Sequence, residues 1–150
     1  MTTTSGFSAT STTDEVLAGL DLTGRRFLVT GASGGLGLET SRALASKGAI
    51  VVMAARDQAK NETAAAGIRV AHPDAKLESL ILDLGSLTSV RAAAAEFMAR
   101  NVPLHGLILN AGIMATPLGH TVDGFEQQFG VDHLGHFLLA RNLLPRLVES

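Results

Sequence analysis

The sequence predicts an α/β fold, a parallel sheet covered by helices on both faces, with elements in the order β-α-β-α-β-α-β-α and strands side by side as 3-2-1-4. Three observations lead there. Short apolar runs, of which Ala49-Ile50-Val51-Val52-Met53-Ala54 is the clearest, alternate with longer stretches of helical period. A continuous β-branched run of that kind reads as a strand buried on both faces of a parallel sheet. The first run, Phe27-Leu28-Val29, passes through the glycine-rich Thr30-Gly31-Ala32-Ser33-Gly34-Gly35-Leu36-Gly37 directly into a helix.

The chain has 150 residues, 46% of them apolar, which suits one domain with a sizeable core. A net charge of −2 argues against a nucleic-acid binder, which normally carries a basic patch. Cysteine is absent, so disulfides and thiolate metal sites are excluded. The N-terminus lacks the basic and apolar regions of a secretory signal, and the longest apolar run, Ala49 to Ala55, is too short to span a bilayer. These points lead to a cytoplasmic protein with no transmembrane segment.

Residues 1–13, mostly Ser and Thr, read as a flexible tail, and 14–150 as an incomplete dinucleotide-binding domain. Thr13-Asp14 is placed to cap a short helix through Leu20. Arg25 to Thr30 forms the first strand. The helix after the glycine turn runs from about Gly35 to Lys47, with Leu36, Thr40, Ala43 and Leu44 on one face, and Gly48 ends it. The second strand is Ala49 to Ala54, and residues 57–71 form the next helix, broken at Pro73. Leu77 to Leu82 is the third strand. Ser86 caps a helix with Val90, Ala93, Ala94, Phe97 and Met98 at i, +3, +4, +7 and +8, the strongest helical period in the chain. Leu104 to Leu109 is the fourth strand. A long apolar helix starts at about Val122 and carries Phe125, Phe129, Phe137, Leu138 and Leu144, with Pro145 disturbing its end.

Strand, glycine turn and helix in that order suit a pyrophosphate-bearing nucleotide. Gly31 lets the chain leave the strand sharply. Gly35 and Gly37 let a phosphate reach the backbone and let the helix lie close to the sheet. The free N–H groups of the first helical turn, aided by the helix dipole, then face the negative charge. Arg56 follows the second strand, nineteen residues after Gly37. An acid there would bind the 2′-hydroxyl of NAD, whereas an Arg accommodates the 2′-phosphate of NADP. The alternative is a solvated loop arginine. Asp83 and Asn110-Ala111-Gly112 close the third and fourth strands at their carboxyl ends, where ligands of parallel sheets bind; Asp83 is alternatively a capping acid before Ser86. His133 and His136 lie three apart, but Asp132 is the only carboxylate near them, so no metal site is expected.

Thr30 to Gly37, Ala55-Arg56, Leu82-Asp83-Leu84, Asn110 to Met114 and Phe129-Gly130-Val131-Asp132-His133-Leu134-Gly135-His136-Phe137 resemble, in order, the short-chain dehydrogenase/reductase family. The last stretch and Asn101 to His105 are similar to its retinol dehydrogenase and WW-domain oxidoreductase branch. The resemblance implies the N-terminal part of a doubly wound, Rossmann-type domain that binds NADP(H) in preference to NAD(H). Gly31, Ser33, Gly34, Gly35, Leu36, Gly37, Arg56, Asp83, Leu84, Asn110, Ala111 and Gly112 would contact the cofactor. It further implies hydride transfer with a small alcohol or carbonyl substrate, and pairing of subunits through the last long helix. Such enzymes use Asn, Ser, Tyr and Lys. Here Asp132 stands at the Asn position, and an ionised Asp only accepts hydrogen bonds. The chain reaches Ser150 before the family's Ser and Tyr-x-x-x-Lys segment, and it contains no tyrosine. These 150 residues are therefore expected to be inactive alone, and a non-catalytic nucleotide-binding or sensor protein of the same fold is the rival reading.

Overall fold

The structure, a computed structural model, describes residues 6–150. The first five residues of the expected tail lie outside the described residues. Helix α1 spans Thr13–Val16, one residue earlier and much shorter than its sequence suggests. Thr12 is the cap, because the Glu15 carboxylate reaches back to its N–H at 2.7 Å in a reciprocal capping box. The helix ends before Gly19, whose φ of +77° turns the chain away.

Strands β1 (Arg26–Thr30), β2 (Ile50–Ala55), β3 (Lys76–Ile81) and β4 (Gly106–Ile108) form one parallel sheet in the order β3-β2-β1-β4 among the described residues. Alternate residues leave opposite faces. Leu28, Val52, Ala54 and Leu80 pack under helices α4 (Leu87–Ala99) and α5 (His136–Glu149), where Val90, Phe97, Leu139 and Leu143 are buried. Val29, Val51 and Met53 pack under α2 (Gly35–Ser46) and α3 (Gln58–Ala71), against Leu44, Ala45, Ala65 and Ile68. Two cores on two faces explain why β1 and β2 are apolar without alternation.

Four expectations are corrected. Leu36 does not face the core: it is 80% exposed, and α2 buries Gly37, Ser41, Ala43, Leu44 and Ala45. The buried face of α2 sets the small residues Gly37, Ser41 and Ala43 beside Leu44, and Leu36 lies outside that face. The fourth strand pairs over only three residues, although Leu104 beside it is wholly buried. The last helix does not start at Val122. Residues there turn through Gly124, and the Glu126 carboxylate accepts from Gln128 N (2.9 Å) and Phe129 N (2.8 Å), starting the helix at Gln127. Those backbone bonds hold the Glu126 carboxyl below the usual range. Finally, Pro145 lies inside α5, which continues to Glu149; burial of Leu139 and Leu143 keeps the helix together across the missing N–H.

Candidate nucleotide-binding site

At the carboxyl ends of all four strands lies a cavity of about 480 Å³. It is the crevice where open parallel sheets bind ligands. Gly31, Ser33, Gly34, Leu36, Arg56, Asp83, Leu84, Asn110, Ala111 and Gly112 line it, which brings together most of the residues singled out from sequence. Gly35, Gly37 and Asp132 are not on its wall.

Gly31 leaves β1 with φ +67°, the left-handed turn that only glycine makes without strain. Gly34 then caps α2 with no side chain to bond the first-turn N–H groups, and Gly34 and Leu36 lie on the cavity wall. Gly37 is fixed by a different need. A Cβ there would meet the Gly31 carbonyl and sit 2.5 Å from Asn110 Nδ2. Asn110 lies across both glycines and donates to the Thr30 carbonyl at 3.0 Å. The glycine turn and the Asn110-Ala111-Gly112 turn are thus one packed unit.

Thr30 joins them. Its Oγ1 accepts from Asn110 N and Ala111 N, both at 3.0 Å, and lies 2.9 Å from Nε2 of His136. The His136 Nδ1 is 3.0 Å from the Asp132 carbonyl, which can only accept. Nδ1 therefore carries the proton, and in the neutral ring Nε2 accepts the Thr30 hydroxyl proton. His136 is 6% exposed, and this bonding leaves neither ring nitrogen for a metal. His133 stacks on Phe129 instead, with ring centres 5.2 Å apart. Among the described residues no group of three His, Asp or Glu is gathered to hold a metal ion.

Asp132 stands in a π-helical turn, Phe129–Gly135, a feature common at functional sites. The His136 N–H turns to the His133 carbonyl, and the His136 ring takes up the Asp132 carbonyl. The Asp132 side chain is exposed and accepts from Ile113 N at 2.9 Å, a bond that an Asn oxygen would make equally well. What Asp lacks is the second, donating position.

Arg56 is exposed on the rim, and among the described residues its guanidinium has neither a carboxylate nor a hydrogen-bond partner. The nearby acid, Asp57, is occupied in capping α3 through Lys60 N at 3.0 Å. Asp83 does not cap α4, a task that falls to Ser86; its Oδ1 accepts from Gly85 N at 2.9 Å while the side chain faces the cavity. Sequence reasoning missed Ile113, Gln127 and Val131 as wall residues, and Thr30 and His136 as the brace behind it. The helical spacing of Gln127 and Val131 could have flagged that pair as one face.

A family model described as short chain dehydrogenase matches residues 25–150. The chain is 47% identical over 131 residues to retinol dehydrogenase 12 of Mus musculus, covering 87% of this chain and 42% of that protein. It is 42% identical over 149 residues to the WW domain-containing oxidoreductase of Homo sapiens, covering 99% of this chain and 36% of that one. Among solved structures, the RhlG/NADP active-site complex of Pseudomonas aeruginosa superposes with a TM-score of 0.73 at 29% identity, over 87% of this chain and 50% of that one. The chain therefore spans less than half the length of these two curated relatives.

Proposed function

Because the chain belongs to the short-chain dehydrogenase family, we propose that it is the cofactor-binding part of an oxidoreductase that moves hydride between NADP(H) and an alcohol or carbonyl compound in the cytoplasm. The observation that carries the cofactor choice is Arg56, unpaired on the rim of a cavity whose other wall is the open N-terminus of α2. The first-turn N–H groups at Gly35, Leu36 and Gly37 suit the pyrophosphate, and Gly31, Ser33 and Gly34 shape its approach. Arg56 suits the 2′-phosphate, and no acid stands ready for a 2′-hydroxyl, since Asp57 is engaged at α3. Asp83 and Leu84 would border the base. Asn110, Ala111 and Gly112 would border the nicotinamide end, held in place by Thr30.

When bound, the nicotinamide would supply or accept the hydride. This chain's residues bind and orient; the family's tyrosine base is not among them. Asp132 would hold its place beside Gly112 and Ile113 as an acceptor near the proton path. No helix of the described residues is long and apolar enough to cross a membrane. The outward face of α5, with Phe137 61% and Leu144 55% exposed, is the surface proposed for subunit pairing.

The test is calorimetric titration of the 150-residue chain with NADPH and NADH. An Arg–phosphate contact is worth roughly 1.5–3 kcal/mol, so NADPH should bind about 10–150-fold more tightly. Arg56→Asp should reverse the order. Equal affinities for the two cofactors would overturn the NADP reading.

A further inference from the structure

Gln127 is a half-buried wall residue of the cavity whose carboxamide is unused. Its backbone N–H donates to the Gly119 carbonyl at 3.0 Å, but among the described residues its side chain makes no hydrogen bond. Its neighbour Gln128 is different: that Oε1 accepts from Ala115 N at 3.1 Å, which pins the side chain to the loop. Gln127 lies where Gly119 leaves room, since a Cβ on Gly119 would sit 2.5 Å from its Oε1.

The site has a direction. Phosphates belong at the N-terminus of α2, next to β1, and the adenosine ribose at the end of β2, beside Arg56. The strand order places β3 next outward, so the base comes to the wall of Asp83 and Leu84. The turn of helix carrying Gln127 and Val131 closes that end: Val131 Cγ2 lies 3.6 Å from where a Cβ on Gly85 would be. Val131 offers an apolar surface. Gln127, one turn earlier on the same face, offers a donor and an acceptor side by side. Adenine presents the complementary pair, the N6 amino group beside a ring nitrogen.

Resting on the NADP reading above, we infer that Gln127 reads the adenine edge and is a specificity-determining residue for the base of the dinucleotide. Its Oε1 accepts from the N6 amino group and its Nε2 donates to the ring nitrogen N7. On that edge hypoxanthine presents two acceptors, O6 and N7, so whichever way the carboxamide turns its Oε1 meets an acceptor.

The experiment measures dissociation constants of the 150-residue chain for NADPH and for its deamino analogue, in which hypoxanthine replaces adenine. The unmutated chain should prefer NADPH. Gln127→Met, of similar volume but with neither hydrogen-bonding group, should shrink that preference about 3–10-fold. Gln127→Glu, which keeps the acceptor, should retain more of the preference than Gln127→Met does, and it decides the matter if the Met variant melts early. An unchanged ratio in both variants would overturn the inference, and so would an equal weakening of both ligands, which would make Gln127 a wall and no more. If neither dinucleotide binds the unmutated chain, the NADP reading itself fails, a result distinct from those two.

Discussion

The Thr30 hydroxyl and the His136 ring meet at 2.9 Å although 106 residues separate them in sequence. That contact joins the first strand, the turn after the fourth and the π-helical turn bearing Asp132. His136→Leu should leave the Thr30 hydroxyl only the longer bond to the Ile108 carbonyl, at 3.4 Å, and free the Asp132 carbonyl. Leaving such buried groups unsatisfied costs about 1–3 kcal/mol. The melting temperature and the NADPH affinity should both fall. In the unmutated chain, nitrogen NMR of the histidine side chains should find His136 protonated at Nδ1 alone; a ring protonated at Nε2 would contradict the bonding described here.

Gly37→Ala should be severe. Its new Cβ would press on the Gly31 carbonyl and on Asn110 Nδ2, neither of which can yield without opening the glycine-rich turn. Overpacking of this kind costs about 1–3 kcal/mol. Gly67→Ala is the control, since nothing lies within 4 Å of that position and the residue is helical. It should stabilise by about 0.5–1 kcal/mol. Chemical unfolding of the two variants checks both directions; a Gly37→Ala chain as stable as the parent would refute the close approach.

The clip between α1 and α2 should weaken in acid. Hydrogen bonds from Arg42, and then from Thr13, hold the Glu39 carboxyl down at about 2, from an ordinary value of 4.5. A lowered folded-state value stabilises above the ordinary one and is lost as pH falls through the shifted one, here between about 4.5 and about 2. Glu39 has a side chain 44% exposed, so screening by water limits the effect to about 1 kcal/mol or less. Hydrogen exchange at Asp14 to Leu17 should accelerate over that window and stop depending on it in Glu39→Gln. An unaltered pH dependence in the variant would place the titrating group elsewhere.

Asp132→Asn should leave folding stability nearly unchanged, because the Asn oxygen keeps the bond from Ile113 N. Asp132→Ala should lose about 0.5–1.5 kcal/mol with that bond. In a longer form carrying the tyrosine segment, Asp132→Asn should keep or raise turnover near neutral pH. A ten-fold loss would give the carboxylate a role of its own.

The 150 residues alone should oxidise NADPH with aldehydes or ketones no faster than the uncatalysed reaction, since a positioned proton donor is worth about 10²–10⁴-fold. They should also self-associate. Strand β4 pairs only with β1 among the described residues, and Leu109 beside it is 43% exposed, an open edge of the kind that aggregates. Light scattering should fall in Leu109→Lys. A monodisperse monomer with a sharp melt, or measurable turnover, would count against one half of this expectation each.

Local order alone determined the fold class, the strand order and the position of the glycine-rich turn. The run from Ile50 to Ala55, the period of Val90 to Met98 and the glycines at 31, 35 and 37 act over a few residues, so they are legible along the chain. The face of α2 was legible at Ala43 and Leu44, which are buried, but not at its start, because Leu36 and Gly37 are equally compatible with a helix until β1 and Asn110 claim the glycine side. Nor was the start of the last helix, decided by a carboxylate at Glu126 folding over the N–H groups of Gln128 and Phe129. Along the chain His136 is only the partner of His133 at a spacing of three; only the sheet brings Thr30 under its ring, and only that contact gives its tautomer a consequence. Periodicity reports which side of an element faces inward, whereas a hydrogen bond between distant residues exists only once the chain has closed around it.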